Sequence, residues 1–228
     1  AYIFSILIHN KYRVMLKENE YKSLLLYTQS IEELSKDIRK QQHDYNNFVL
    51  AVRGYVEQSD YYGLKNFFLC DFKKYNCGGT DSSYNSQIRN ISDSGLRGIL
   101  AVKLSSISKP NIEVEIDIAS EFTIPESISK IDIYRIMGIL LDNAAEAVKD
   151  RFSFAITHND SEISFKITND FIQKPNMKIL FASGYSTKGR SRGLGLPNVR
   201  EIIKKYENME INTYLHEYIF VQEVIIKL

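Results

Sequence analysis

Along the first half of the chain, apolar residues recur at alternating intervals of three and four. From about Glu20 to Tyr55, taking Leu24 as position a of a heptad puts Leu24, Ile31, Ile38, Tyr45 and Val52 at a. Tyr27, Leu34, Gln41, Phe48 and Tyr55 then fall at d. That spacing predicts a long helix with a dimerising stripe and one polar layer at Gln41. Ser59, Asp60 and Gly63 mark a break, after which Tyr61 to Tyr75 resumes as an aromatic-rich helix. Gly78 to Ser83 reads as a loop, and Gly95 to Ile107 as a further helix that stops before Lys109-Pro110. Two antiparallel helical arms of this kind make a hairpin, and two hairpins make a dimeric four-helix bundle.

After Pro110 the period changes. Ile112, Val114, Ile116 and Ile118 alternate with Glu113, Glu115 and Asp117, the pattern of a half-buried strand. Ile131 to Asp150 reads as a helix, followed by strands at Phe152–Thr157 and Ile163–Asn169. A loop containing Pro175 then leads to a glycine-rich run and a helix from about Leu194 to Tyr206. Two strands, near Glu210–Leu215 and Tyr218–Lys227, close the chain. The expected class is therefore α+β. A helical domain over residues 1–109 precedes a mixed α/β domain over 110–228, with the boundary and a hinge near Pro110.

Composition narrows the partners. With 44% hydrophobic and 25% charged residues, the 228-residue chain is ordinary for a globular protein. A formal net charge of +1 supplies no global field for nucleic acid or for an anionic membrane. Cys70 and Cys77 are too few and too close for a disulfide framework and read as free thiols in a reducing compartment. The four histidines, His9, His43, His158 and His216, have no metal-ligand spacing. The apolar stretch Ala1–Ile8 is far short of the ~20 residues that span a bilayer, but it suits the stub of a membrane helix in a longer parent.

Three segments carry candidate chemistry. His43 falls at heptad position f, facing away from the seam, beside Asp44 and one turn before Asn47. A neutral imidazole can attack phosphorus if a neighbour takes or orients its other proton. In the helix Ile133–Val148, Asn143 sits at the edge of the apolar stripe with Glu146 and Asp150 on the same flank. Its carbonyl oxygen is of the type Mg²⁺ prefers. Gly189, Gly193 and Gly195 let backbone amides approach phosphate closely at a helix start. Lys188, Arg190 and Arg192 add cationic donors, and Pro197 suits a first helical turn. Each segment alone also fits a solvated surface residue or a plain flexible loop. The ordered set points to ATP binding joined to phosphorylation of a histidine.

The ordered set resembles the H, N and G boxes of sensor histidine kinases. The matching stretches are His43-Asp44-Tyr45-x-Asn47, Ile139-Leu140-Leu141-Asp142-Asn143-Ala144-x-Glu146-Ala147, and Gly184 through Leu196. Their wording is most similar to the peptide-pheromone receptor kinases of Gram-positive quorum sensing, the accessory-gene-regulator type. The resemblance implies a homodimeric histidine-phosphotransfer domain followed by an ATP-binding α/β sandwich of the kind shared with gyrase and MutL. It implies His43 as phosphoacceptor, Asp44 as general base and Asn47 as a helper in phosphoryl positioning. Asn143 would hold Mg²⁺, Lys188 and Arg192 would face the phosphates, and Gly193 and Gly195 would shape the nucleotide lid. It further implies a membrane receptor region preceding a cytoplasmic kinase portion, and a response-regulator receiver domain as the phosphoryl acceptor.

Two departures from the pattern matter. Ile167-Thr168-Asn169-Asp170-Phe171 stands where many such kinases carry Asp-x-Gly-x-Gly, so Asn169 would accept the adenine amino group without a charge, and ATP affinity is expected to be weak. Ile139 stands one turn before Asn143, where gyrase-like ATPases carry the glutamate that activates water, which favours transfer to a side chain over hydrolysis. The alternative is a phosphotransfer scaffold with a degenerate ATP domain. The intact Asn143 and Gly193-Leu194-Gly195 argue against it.

Overall fold

A computed structural model describes residues 2–70, 85–118, 122–181 and 193–228. The chain divides into two compact units, Ala1–Cys77 and Gly78–Leu228. The loop expected at Gly78–Ser83, the stretch of helix expected after Cys70, and the run 182–192 with Lys188, Gly189, Arg190 and Arg192 lie outside the described residues.

In the first unit, α1 runs unbroken over Tyr2–Glu57, 56 residues. It ends where Ser59 adopts a left-handed φ of 53°, and Asp60 caps α2 (Tyr61–Cys70) by accepting the Gly63 N–H at 2.8 Å. The heptad stripe splits between two environments. Phe48 and Tyr55 pack against Phe67 of α2, with ring centroids 6.1 and 5.7 Å apart. The described 10 residues of α2 cover about 15 Å, whereas α1 extends for about 84 Å. Leu24, Ile31, Ile38 and Tyr45 are 47–65% exposed along one side of α1.

The second unit begins with α3 (Asn85–Ile88) and α4 (Ser94–Ile107). Then follow β1 (Glu113–Ile118), α5 (Lys130–Ala147), β2 (Arg151–His158), β3 (Glu162–Asp170), α6 (Gly195–Ile203), β4 (Met209–His216) and β5 (Ile219–Lys227). The strands form one mixed sheet in the order β1-β2-β3-β5-β4, with β1 and β2 parallel and the other pairs antiparallel. Alternation along the strands sends Ile116, Phe152, Phe154, Phe165, Ile167, Val224 and Ile226 to one face. There they form a single apolar core with α4, α5 and α6. The β2–β3 turn is fixed by Asn159, whose Oδ1 accepts from the backbone of Ser161 and Glu162 at 2.9 Å each.

The sequence pattern assigned α4 to the helical domain, with a boundary near Pro110. Packing places it differently. Leu96, Leu100, Leu104 and Ile107 of α4 are fully buried in the same cluster as Ile116 of β1 and Leu140 of α5. Pro110 thus lies inside a turn between two elements of one core, closed by Ile112 N–H to the Lys109 carbonyl at 3.0 Å, and no hinge sits there. The end of α5 also differs from the expected Asp150. Buried Asp170 accepts the N–H groups of Lys149 and Asp150 at 2.9 and 3.0 Å, drawing the chain out of the helix after Ala147 and into β2.

The N-terminal half of α5 is held by two carboxylate clusters. Asp93 caps α4 by accepting the Leu96 N–H at 2.8 Å. It also accepts the Tyr134 hydroxyl and lies 2.8 Å from Lys130 Nζ. Asp132 accepts the Tyr206 hydroxyl at 2.7 Å and faces Lys205 Nζ at 3.1 Å, tying α5 to the chain just after α6. Burial pushes Asp93 up, but Lys130, Tyr134 and the Leu96 amide together outweigh it and bring its pKa down to about 2. Burial and the Asp93 carboxylate push Tyr134 up to about 12.

The folded pKa of Asp93 lies below its ordinary 3.8, so its contribution is complete at neutral pH and is lost as pH falls toward about 2. That of Tyr134 is complete below pH 10 and is lost as pH rises toward about 12. Asp93→Ala is expected to lower the unfolding free energy in urea by about 2 kcal/mol at pH 7. The gap from the unsubstituted chain should close as pH approaches 2, and a gap that stays constant would show that the carboxylate charge is not its source.

Candidate nucleotide site and candidate phosphoacceptor

Asn143 lies near the C-terminal end of α5, half-buried, and its Nδ2 is enclosed with no hydrogen-bond partner. Directly beside it is the start of α6. A Cβ built on Gly195 would lie 3.0 Å from Ile139 Cγ2 and 3.7 Å from both Asn143 Nδ2 and Oδ1. A side chain here would press on Ile139, so glycine favours this close start of α6 against α5. Gly193 has φ 110°, a conformation costly for any residue with a Cβ. No side chain caps α6, and Pro197 in its first turn has no N–H to satisfy, so the leading amides and the positive end of the helix dipole sit next to Asn143.

Asn169, the penultimate residue of β3, lies on the same sheet face as Phe152 and is 2% exposed. Its Nδ2 donates to the Asp170 carbonyl at 2.6 Å, leaving Oδ1 as the amide's acceptor. The neighbouring Asp170 carboxylate is occupied by backbone amides and has a structural role. Before the undescribed run, Phe181 is held to α6 by Arg200, whose guanidinium carbon lies 5.7 Å from the ring centre. On the outer side of α5 and α6 a groove of about 550 Å³ is lined by Arg135, Ile139, Asp142, Asn198, Glu201 and Lys205. Lys103 of α4 grips Asp142 at one edge of that groove, 2.7 Å from each carboxylate oxygen.

In the first unit, the His43 side chain is 73% exposed. Its Nδ1 lies 3.1 Å from Asn47 Nδ2 and 3.6 Å from Asp44 Oδ1. Both contacts engage Nδ1, so neither uses Nε2. The Asn47 amide can donate only to an unprotonated Nδ1. In the other tautomer the Nδ1 proton faces Asp44, the Asn47 amide donor must turn away, and Nε2 retains an outward lone pair. His43, Asp44 and Asn47 are thus brought together within one turn of α1, while Asn143, Gly193 and Gly195 are gathered at the α5–α6 junction. Asn169 lies on the core side of β3, toward which α5 packs.

Residues 128–227 match the GHKL domain family. The match takes in α5 and the elements that follow, including Asn143, Asn169, Gly193 and Gly195. The chain is 28% identical over 196 residues, 83% of its length, to the sensor protein CitS of Bacillus subtilis. It is 24% identical over 195 residues, 81% of its length, to CitS of Halalkalibacterium halodurans. It spans 35% of the length of each of these relatives. The fold resembles the nucleotide-free catalytic domain of the histidine kinase ThkA, with a TM-score of 0.50 and 22% identity, over 58% of this chain and 90% of that one. Among the described residues, no helix is long and apolar enough to cross a membrane.

Sequence reading overlooked three features of the second unit. The Asp132–Tyr206 pair joins residues 74 positions apart and has no local signature. The contact of Ile139 with the start of α6 depends on helix packing. Gln222, a lone amide in the otherwise apolar inward row of β5, did carry a signal, a break in strand alternation. Gly193→Ala should destabilise the chain by about 1–3 kcal/mol from backbone strain alone. Unfolding in urea measures this, and a loss under a few tenths of a kcal/mol would show that the turn relaxes at no cost.

Proposed function

We propose that this chain is the kinase core of a two-component sensor, an ATP-dependent protein histidine kinase that phosphorylates His43 and passes the phosphoryl group to an aspartate of a response-regulator receiver domain. The observation that carries the proposal is the enclosed, unpartnered Asn143 amide facing Gly195 at an uncapped helix start, in a chain that also presents an exposed His43 between Asp44 and Asn47. An orphaned polar atom beside a helix N-terminus fits a polyanion with its cation, and Asn143 is the residue here that would hold Mg²⁺ through Oδ1. The amide's O and N positions are interchangeable by rotation, so the orphaned group can present either. Asn169 would accept the adenine amino group, and Lys188 and Arg192 would meet the phosphates.

ATP supplies the phosphoryl group. His43 Nε2 attacks the γ-phosphorus in line, the bond from phosphorus to the β–γ bridging oxygen breaks, and ADP leaves with the electron pair. The Nδ1 proton is held toward Asp44, which stabilises the charge that develops on the ring, while Asn47 is placed to orient the imidazole or a phosphoryl oxygen. Ile139 offers no base for water at the nucleotide site, which favours transfer over hydrolysis. The two units must meet during turnover, within one protomer or across a dimer. The exposed Leu24–Tyr45 stripe is the seam we assign to that dimer, continuing into a four-helix bundle. An N-terminal membrane receptor, of the peptide-pheromone class that the three boxes resemble in wording, would drive this core from the cell membrane.

Incubation with γ-labelled ATP and Mg²⁺ should give a label that is lost in acid, survives base and maps to His43. His43→Gln should abolish it while leaving nucleotide binding intact, and Asp44→Asn should slow it by about 100-fold or more. Nucleotide binding with no label, or label persisting in His43→Gln, would sink the assignment.

Charging the seam tests the dimer separately. Ile31→Lys combined with Ile38→Lys should halve the mass seen by sedimentation, and an unchanged mass would place the interface elsewhere.

A further inference from the structure

Among the described residues, three buried side-chain polar atoms have no hydrogen-bond partner: Asn143 Nδ2, Thr213 Oγ1 and Gln222 Nε2. Asn143 belongs to the site already described. The other two are neighbours, since Thr213 on β4 lies directly opposite Gln222 on β5, and Gln222 lies opposite Ile167 on β3. Alternation puts this row on the same face as Asn169, which stands opposite Phe220 two residues along. That is the face against which α5 packs at β3 and α6 packs at β4.

Gln222 is 2% exposed, and a buried amide donor without a partner destabilises a fold. An apolar residue would suit the inward row Phe220–Val224–Ile226 better. The core itself changes at this point. Ile167, Val224 and Ile226 belong to the contiguous apolar cluster, whereas Phe220, although buried, does not. The polar row Thr213–Gln222 therefore stands where the core gives way toward Asn169.

We propose that Gln222, with Thr213 beside it, is a second polar contact for the nucleoside part of the bound nucleotide, acting together with Asn169. The proposal rests on the ATP-binding function proposed above. A neutral asparagine in place of a carboxylate makes a bond roughly half as strong as a charge-assisted one, so a further neutral group on the same sheet face would recover part of the difference. Gln222 Nε2 donates to a ring nitrogen of the purine, directly or through one water shared with the Thr213 hydroxyl, which both donates and accepts.

The test uses the full chain with ADP and with ATP, read by isothermal titration and thermal unfolding. Gln222→Met keeps similar volume and removes the amide. The nucleotide-free Tm should hold or rise, because an unsatisfied polar group has gone, while ADP and ATP both bind about 3- to 10-fold more weakly. Unchanged affinity for both nucleotides, with a lowered nucleotide-free Tm, would mean that the pair holds only a structural water, and would overturn the proposal. A loss confined to ATP would overturn it too, because the contact would then be to the γ-phosphate. Should Gln222→Met fail to fold, the isosteric Thr213→Val decides by the same comparison, with a smaller but parallel loss for both nucleotides expected. An unsubstituted chain that binds neither nucleotide would defeat the ATP-binding function itself, whereas normal binding with both variants unaffected would defeat this inference alone.

Discussion

At the N-terminal half of α5, Asp93 and Asp132 each accept a tyrosine hydroxyl, from Tyr134 and Tyr206 respectively, and each has a lysine beside it. These pairs fix α5 against α4 on one side and against the end of α6 on the other. A helix transmits such a constraint along its length because its backbone hydrogen bonds leave little freedom to bend. Asn143 lies about 16 Å along the axis from Asp132, so its position relative to Gly195 is set largely by clusters it does not touch. The proposed nucleotide site is assembled by helix packing, and its position depends on the buried Asp132 and the half-buried Asp93 at the far end of the helix.

The same packing explains why position 139 matters. Ile139 Cγ2 fills the space that a side chain at residue 195 would need. Ile139 thus serves packing at the start of α6, and its side chain offers no proton acceptor beside Asn143, which fits the phosphoryl transfer proposed above.

Much of the fold was legible in the sequence because its signals were local. The alternation Ile112–Ile118, the 3.6-residue stripe of Ile133–Val148 and the break at Ser59–Asp60 all correspond to elements within a few residues of their expected ends. His43 with Asp44 and Asn47 needed only helical spacing to be brought together, whereas Gly193 and Gly195 were read as a phosphate-facing run and their turn and close approach to α5 came from the structure. What periodicity alone left open was membership. The stripe of α4 is equally suited to a helical bundle or to the flank of a sheet, and only its burial with Ile116 and Leu140 assigns it to the second unit. The early end of α5 was illegible for a related reason, since it depends on Asp170, twenty residues away in sequence from the Asp150 amide it captures.

With His43 as the proposed nucleophile on one compact unit and the proposed nucleotide site on the other, encounter is the controllable step. The described polar contacts of His43 come from Asp44 and Asn47, neighbours on the same helix that move with it. Asn143, Gly195 and the start of α6 are likewise set within the second unit. Each half is preorganised by its own packing, so an input arriving along α1 need not rebuild either one. Rotation or bending of a helix whose apolar stripe is interrupted at Gln41 changes which face it presents while leaving the local triad intact. Control of this kind acts on access, and it requires a stiff, continuous helix joining the input to His43, which the 56 residues of α1 provide.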